Sequence, residues 1–497
     1  MFYKIACLLV VRRCLYISLF FCAAFFLFTS HAQAQQTDTA FFNRQLKSIL
    51  DLDSTQSLTI DSIQVSGNKK TKRYIVAREI LLKQYSVVRA DSLLHNIELS
   101  RQLVYNTNLF SDVSIVPRFT QEGHVALDVT VKERWYIYPT PQFQLVDRNF
   151  NEWINRYNAS LERVVYGVKF AHYNLSGRRD QLRVYLLNGF ARNFSVYYSA
   201  PYSNRNLTEG FGFGAGFTQS RDVTYGTSKN NQPLRYSRPD KEFVRKSYFM
   251  SGNYVARRGY YKRHLFSIGF AYSKVQDSVV EKYNPGYYDN GNKNYIAYPE
   301  LGYSFQYLHV NNVNYPLTGK IYSAGISKRG LGVDGGINML SLNAGYHRYW
   351  SLGKKWYLAM NTTGRLKLPF KQPYINQYAM GYDDYYLRGL ENYVIDGVAS
   401  GMSKYTLRKR LFGFNIPVPI RNSVINKIPF QFFAKTYADA GYSYSKYGIE
   451  TQLGNKFLYT GGLGLDVLSI YDINASFEYS FNQLGQKGLF LHIKGGF

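Results

Sequence analysis

Cysteine is almost missing from this chain. Its three cysteines, Cys7, Cys14 and Cys22, all precede Ala34. They lie in a stretch ordered like an export signal: Lys4, Arg12 and Arg13, the apolar run Leu15–Thr29, then Ala32-Gln33-Ala34. Residues 1–34 are expected to be a secretory signal peptide cut after Ala34. The apolar run is too short for a membrane-spanning helix, and Phe21 is too bulky to precede an acylated Cys22. The exported chain would then have no disulfide, thiolate metal site or cysteine nucleophile. Hydrogen bonding and packing alone must hold it.

Acidic residues are also scarce, 33 against 60 Lys and Arg, for a formal charge of +27. The cations are scattered along strand-like segments rather than clustered on one helix, and export removes most nucleic-acid partners. No nucleic acid is therefore expected; anionic lipid or lipopolysaccharide suits the charge better. The eight histidines are dispersed without metal-ligand spacing. Gly210–Gly216 and Gly461–Gly464 lie inside alternating strands with no helix after them, so they are not phosphate loops. No Ser/His/Asp set stands out. The expectation is no enzyme, no cofactor and no metal.

What is present divides in two. After a polar lead-in (35–57, with a short helical pattern at Phe41–Leu50), residues 58–134 read as a compact mixed module. Ile63 and Val65 alternate into a Gly67-Asn68 turn. Thr71 is predicted to cap a helix with Tyr74, Ala77 and Leu81 on one face, and Asp91 a second with Leu93, Leu94, Ile97 and Val104. Val113 and Ile115 begin a strand that turns at Glu122-Gly123. Val125, Leu127, Val129 and Val131 then alternate with His124, Ala126, Asp128 and Thr130. Strand, helix, helix, strand, strand is a small α+β module.

From residue 135 to 497 helical periodicity disappears. In Tyr471–Phe481, Tyr471, Ile473, Ala475, Phe477, Tyr479 and Phe481 oppose Asp472, Asn474, Ser476, Glu478 and Ser480. Phe457–Val467 sets Phe457, Tyr459, Leu463, Leu465 and Val467 against Lys456, Thr460 and Asp466. In Gly210–Phe217, phenylalanines alternate with glycines. An aromatic face backed by a polar or small one is the pattern of a transmembrane β-barrel. A soluble sandwich also alternates, but three features favour the barrel: the length of the region, 47 tyrosines suited to interfacial girdles, and a final strand, Gly488–Phe497, with Leu489, Leu491, Ile493 and Phe497 on one face. At roughly 22 residues per strand and turn, about sixteen strands are expected.

Two stretches of this region carry functional signals. One is a long segment near 371–399 containing Tyr385–Asp396, YYLRGLENYVID. Tyr385, Tyr386, Leu387, Leu390, Tyr393, Val394 and Ile395 make it too apolar for a solvated tail, so it folds inward. A buried Arg388 needs a carboxylate. In Phe430–Gly441, Phe430, Phe432, Ala434 and Ala438 face one way; Gln431, Lys435, Tyr437 and Asp439 face the other, into the lumen. The plainer alternative is a solvated Arg388 and an Asp439 that balances another lumenal cation. The second stretch is Tyr136–Val146, where Pro139 and Pro141 share one hydrogen-bonding side and can donate nothing there. With Gly495 and Gly496 in the last strand, the closing seam would be weak and open to strand addition by a client. Alternatively, the prolines merely start a strand leaving a soluble domain.

Ile63–Asn68, Asn108–Val113 and Val129–Glu133, followed by a barrel ending in Phe497, resemble the BamA/TamA-type outer-membrane assembly superfamily, the bacterial surface antigen family. The small domain is similar to a polypeptide-transport-associated (POTRA) module. The fold implied is an all-β transmembrane barrel of about sixteen antiparallel strands preceded by one small α+β periplasmic domain. In that family a V-R-G-F-type loop folds into the lumen, and Leu387-Arg388-Gly389-Leu390 stands in its place with both outer residues changed. An aromatic-x-Asp-x-Gly strand holds the arginine, and Tyr437-Ala438-Asp439-Ala440-Gly441 matches it. The resemblance thus implies an Arg388–Asp439 pair. One feature departs: Gly397–Ala438 contains no Asp or Glu, which leaves Asp439 as the expected sole anionic anchor. The implied function is insertion of outer-membrane proteins or polypeptide translocation in a Gram-negative outer membrane. Its clients would be unfolded outer-membrane or secreted chains, with room for periplasmic accessory proteins. A passive channel or structural surface protein is the alternative; no adhesin module is visible.

Overall fold

The small domain is built around the strand that opens it. In the computed structural model, described for residues 55–146, 158, 160–238, 242–288, 293–332, 336–418, 427–446 and 450–495, β1 spans Ser57–Ser66 and is followed by α1 (Arg73–Arg78), β2 (Val87–Arg89), α2 (Ala90–Tyr105), β3 (Phe110–Gln121) and β4 (His124–Glu133). The signal segment, the lead-in to residue 54, Gly496 and Phe497 lie outside the described residues. The sheet order is β2-β1-β4-β3, with β1 parallel to β4. A parallel pair needs a crossover, and the two helices supply it. Leu58 and Ile60 from β1, Ile75 and Val76 from α1, Leu93 and Val104 from α2, and Val125 and Leu127 from β4 form the core. Each such side chain contributes roughly 1.5–3 kcal/mol by leaving water.

Local details differ from the expectations. β2, three residues long, is too short to show an alternating pattern in the sequence. α1 is capped by Lys72 without a side-chain hydrogen bond, while Thr71 turns its hydroxyl to Tyr136 and Asn174. α2 is capped by Arg89, and Asp91 pairs with that arginine instead. The buried residues of α1 are Ile75 and Val76, with Tyr74 exposed. A helix that ends at Arg78 has no Leu81 to extend the expected stripe, so the position of the sheet chooses the face.

The larger sheet begins with β5 (Ile137–Leu145), β6 (Val164–His172), β7 (Gln181–Gly189), β8 (Ala191–Ala200) and β9 (Glu209–Ser220). A hairpin follows, β10 (Asp222–Thr227) and β11 (Pro233–Ser237). Then come β12 (Arg245–Arg258), β13 (Lys262–Val275), β14 (Tyr295–Val310), β15 (Gly319–Arg329), β16 (Met339–Gly353) and β17 (Trp356–Leu368). The short β18 (Tyr378–Met380) and β19 (Ile395–Asp396) pair with each other. β20 (Ala399–Pro417), β21 (Lys427–Tyr444), β22 (Phe457–Leu468), β23 (Asn474–Asn482) and β24 (Lys487–Lys494) complete it. Apart from the two hairpins these strands form one sixteen-stranded sheet in sequence order, every neighbour antiparallel, which curls into a barrel.

Alternation orients the wall. Phe211, Phe213, Tyr459, Leu463, Phe477, Phe481, Leu489 and Leu491 are exposed outside, whereas Thr460, Asp466, Glu478 and Ser480 are buried inside. The expected strand Tyr471–Phe481 is shortened. Tyr471 and Asp472 take left-handed conformations (φ 58° and 61°) in a turn, and Asp472 there accepts from Tyr105, Arg134 and Asn312.

The far end of the barrel, away from the small domain, is roofed. Val223 in β10 and Val244 after the β10–β11 hairpin pack with Val279, Val280, Tyr287, Tyr288, Ile337 and Tyr374. The hairpin tip carries the fully buried Asn231, which donates to Val394 O and Thr451 Oγ1 and accepts from Leu453 N–H.

Candidate functional site

Residues 369–398, between β17 and β20, turn into the barrel. Tyr385, Leu387, Leu390 and Ile395 share a buried cluster with Met380, Met402, Leu453 and Leu458. The tip is a tight turn closed by Leu390 N–H to Leu387 O at 3.0 Å. Gly389 takes φ +86°, and a Cβ there would meet Ser480 Cβ at 2.9 Å. Both the left-handed backbone and the close approach call for glycine.

That turn aims Arg388 at the wall. Its Nε donates to Asp439 Oδ2 at 2.9 Å and Nη2 to Asp439 Oδ1 at 2.5 Å, and its backbone N–H reaches Oδ2 at 3.1 Å. Nη1 donates to Thr406 Oγ1 at 3.0 Å and Nη2 to Tyr405 O at 3.3 Å, both on β20. The guanidinium lies 3.9 Å from the Tyr437 ring centroid. Asp439 is 2% exposed and Arg388 9%. This fork-on-carboxylate geometry is the strong form of ion pair. Among the motif neighbours, Leu387 and Leu390 are buried, and Gly441 leaves room for Leu387, whose Cδ1 would lie 3.2 Å from a Cβ there.

Asp439 is not the only anion near the guanidinium, which corrects the expectation. Glu478 Oε1 on β23 is 4.0 Å from Arg388 Nη1 and 2.6 Å from Lys435 Nζ. Lys435 also bonds Asp466 on β22. The carboxylates missing from 397–438 are thus supplied by later strands. Alternation placed Glu478 and Asp466 on the polar face, but spacing along the chain does not reveal that β22 and β23 face the loop.

The loop also holds the end of the sheet. Asn482 Nδ2 donates to Gly389 O at 2.8 Å, and Tyr393 OH to Gln486 Oε1 at 2.7 Å. Tyr386 stacks on His492 of β24 at 5.8 Å. Sequence reasoning missed His492, whose role depends on contacts remote in sequence.

β5 and β24 are the two ends of the sheet, and among the described residues no ladder joins them. Tyr173 N–H donates to Tyr136 O, and Val146 N–H to Arg163 O, so even-numbered residues of this strand direct their main chain toward β6. Pro139 and Pro141 therefore turn their nitrogens to the open edge, where they have no proton to offer. On β24, Asn482 N–H donates to Gln486 O; by the same alternation Leu489, Leu491 and Ile493 present their main chain to the opening. Gly495 lies beyond the end of β24 and is exposed rather than inside the strand.

The small domain sits on the other mouth. Glu79 at the end of α1 receives Arg257 Nη1 at 2.5 Å and Nη2 at 2.7 Å, and Tyr202 OH at 2.9 Å. Burial opposes the charge on Glu79, but Arg257 outweighs it and holds the carboxyl down to about 2. Arg78 Nε donates to Leu207 O, Arg179 Nε to Thr107 O and Asn106 Nδ2 to Val310 O. Together with Asp472, these contacts tie the domain to the ends of β12 and β14 and to the turns after β6, β8 and β22.

Residues 58–134 match the POTRA family described as "Surface antigen variable number repeat". The chain thus carries one POTRA domain followed by a sixteen-stranded barrel, the architecture that the resemblance implied. Among solved structures it is similar to BamA from Haemophilus ducreyi lacking POTRA domains 1–3 (14% identity, 88% of this chain and 83% of that one, TM-score 0.47). It is also similar to CdiB from Escherichia coli (12%, 88% and 75%, TM-score 0.49) and to CdiB from Acinetobacter baumannii (13%, 88% and 73%, TM-score 0.43). No curated protein sequence matches it.

Proposed function

We propose that this chain is a single-POTRA protein of the BamA/TamA type, which inserts polypeptides into the outer membrane of a Gram-negative bacterium or passes them across it. Its POTRA domain would lie in the periplasm. The observation that carries the reading is the open edge between β5 and β24. An unpaired edge is a template for another strand, and stable proteins normally cover it. Here one side keeps its donors at Leu489, Leu491 and Ile493, while Pro139 and Pro141 remove donors from the other. A client chain captured by the POTRA domain adds to β24 by main-chain hydrogen bonds, and β5 competes weakly for the same edge. Strand pairing and burial in lipid supply the driving force. Neither catalytic chemistry nor a cofactor enters this scheme.

The alternative, a passive channel, needs a water-filled lumen. The inward loop, the roof of packed tyrosines and valines and the docked POTRA domain all weigh against it. Photocrosslinking in living cells from positions in 137–145 and 487–494 tests the proposal. Crosslinks to nascent outer-membrane proteins support insertion, and crosslinks to one secreted passenger support export. Crosslinks to neither class sink the proposal and return the passive channel.

A further inference from the structure

We infer that Glu391, Glu478 and His492 form a binding site for one divalent transition-metal ion of the zinc class, which pins the lumen loop to the last strand. The residues come from three elements: Glu391 from the loop, Glu478 from β23 and His492 from β24. One ligand atom from each lies within 4.8 Å of the others. His492 Nδ1 is 3.0 Å from Glu478 Oε2, and its Nε2 is 3.7 Å from Glu391 Oε1.

Each carboxylate divides its work in the same way. Glu391 Oε2 accepts from Gly389 N–H at 2.7 Å, and Glu478 Oε1 accepts from Lys435 Nζ at 2.6 Å. The remaining oxygens, Glu391 Oε1 and Glu478 Oε2, are buried and accept no hydrogen bond. Both are turned toward the imidazole. Buried polar atoms rarely stay unsatisfied without a reason. The imidazole turns a different nitrogen to each oxygen, Nδ1 to Glu478 and Nε2 to Glu391; direct ion pairing through the ring is the competing arrangement, and the zinc titration below decides between the two. A metal ion satisfies both oxygens and one ring nitrogen together.

One imidazole and two carboxylates suit a borderline ion such as zinc, with a fourth position left for water. Bond lengths of about 2.0–2.2 Å put tetrahedral ligand atoms roughly 3.4 Å apart, so closing the site needs side-chain shifts on the order of an ångström. Lys435 and Arg388 compensate part of the carboxylate charge and limit affinity, but each engages the Oε1 side of Glu478. The Tyr386 ring against His492 fixes the plane of the imidazole, as outer groups do in metal sites. Because His492 belongs to the strand at the open edge and Glu391 to the loop, an ion here restrains both.

The binding claim is independent of the function proposed above. The test is calorimetric titration of the purified full-length chain in detergent, chelator-stripped, with zinc alone. One ion per chain is expected, and His492→Ala and Glu391→Gln should each weaken it by roughly tenfold or more. His347→Ala, at a lumenal histidine outside the cluster, should leave it unchanged. Zinc should also slow amide exchange in 385–396 and in β24. Absence of stoichiometric uptake overturns the inference, and so does uptake equally strong in the ligand variants. Glu391→Gln alters only a loop carboxylate, so it remains decisive if His492→Ala does not fold; heat-dependent gel mobility reports folding in both.

Discussion

Arg388 and Asp439 are joined at three points: two guanidinium nitrogens and the arginine's own backbone N–H all donate to the one carboxylate. A side chain and its main chain bound to the same anion fix the turn Leu387–Leu390 as well as the charge. Removing either partner strands the other in a buried site, at a cost of about 3–5 kcal/mol. Arg388→Ala and Asp439→Ala should lower thermal stability of the loop region by similar amounts, and the double variant should lose little more. Arg388→Lys should not rescue, since an ammonium cannot make the fork. Simple addition of the two single losses, measured by denaturant unfolding, would show that they are not partners.

Glu79 gives the POTRA docking a pH dependence. Its carboxyl titrates near 2 in the folded chain against an ordinary value of 4.5. A depressed carboxyl stabilises fully above the ordinary value and loses that contribution as pH falls toward the folded one. Docking should therefore weaken between about pH 4.5 and pH 2, by on the order of 3 kcal/mol for the whole shift. Glu79→Gln should weaken docking at neutral pH and remove most of the change in that window. Amide exchange in the turn 259–261 reports it; an unchanged profile in the variant would mean that another group governs release.

Much of the barrel was legible because its period is two. Phe211, Phe213 and Phe217 against the intervening glycines, and Phe477 against Glu478, give the wall its two faces without any tertiary knowledge. Parity also placed Asp439 inside. What stayed hidden is set by curvature and by contacts across the barrel. Glu478 and Lys435 meet because β21 to β23 are adjacent and their lumenal faces converge, and His492 meets Glu391 because the loop reaches β24. The expected caps at Thr71 and Asp91 give way to other partners. A hydroxyl or carboxylate ahead of a helix is a candidate cap, but Tyr136 and Asn174, remote in sequence, hold the Thr71 hydroxyl, and the neighbouring Arg89 holds Asp91.

Glycine positions separate two kinds of strain. Gly389 combines φ +86° with a neighbour 2.9 Å from any added Cβ, whereas Gly485 has φ +73° and nothing within 4 Å. Gly485→Ala should cost only the left-handed penalty, about 1 kcal/mol. Gly389→Ala should cost more and loosen Arg388 from Asp439, because Ser480 sits on a wall strand and cannot easily withdraw. Equal melting shifts for the two variants would show that the tip yields freely.

The open edge gives the most direct test of the proposed mechanism. Pro139 and Pro141 direct donor-less nitrogens toward β24, so replacing both with threonine adds two N–H groups where the facing edge offers carbonyls. Threonine suits an extended backbone, and the even-numbered residues that hold β5 to β6 are untouched, so the barrel should fold normally. Two added hydrogen bonds, each worth about 0.5–1.5 kcal/mol net, should draw β5 and β24 together. Amide exchange at Leu489, Leu491 and Ile493 should then slow, and client crosslinks from β24 should fall in parallel. If exchange slows while crosslinking persists, clients do not use this edge. If exchange does not change, the prolines are not what keeps the edge open.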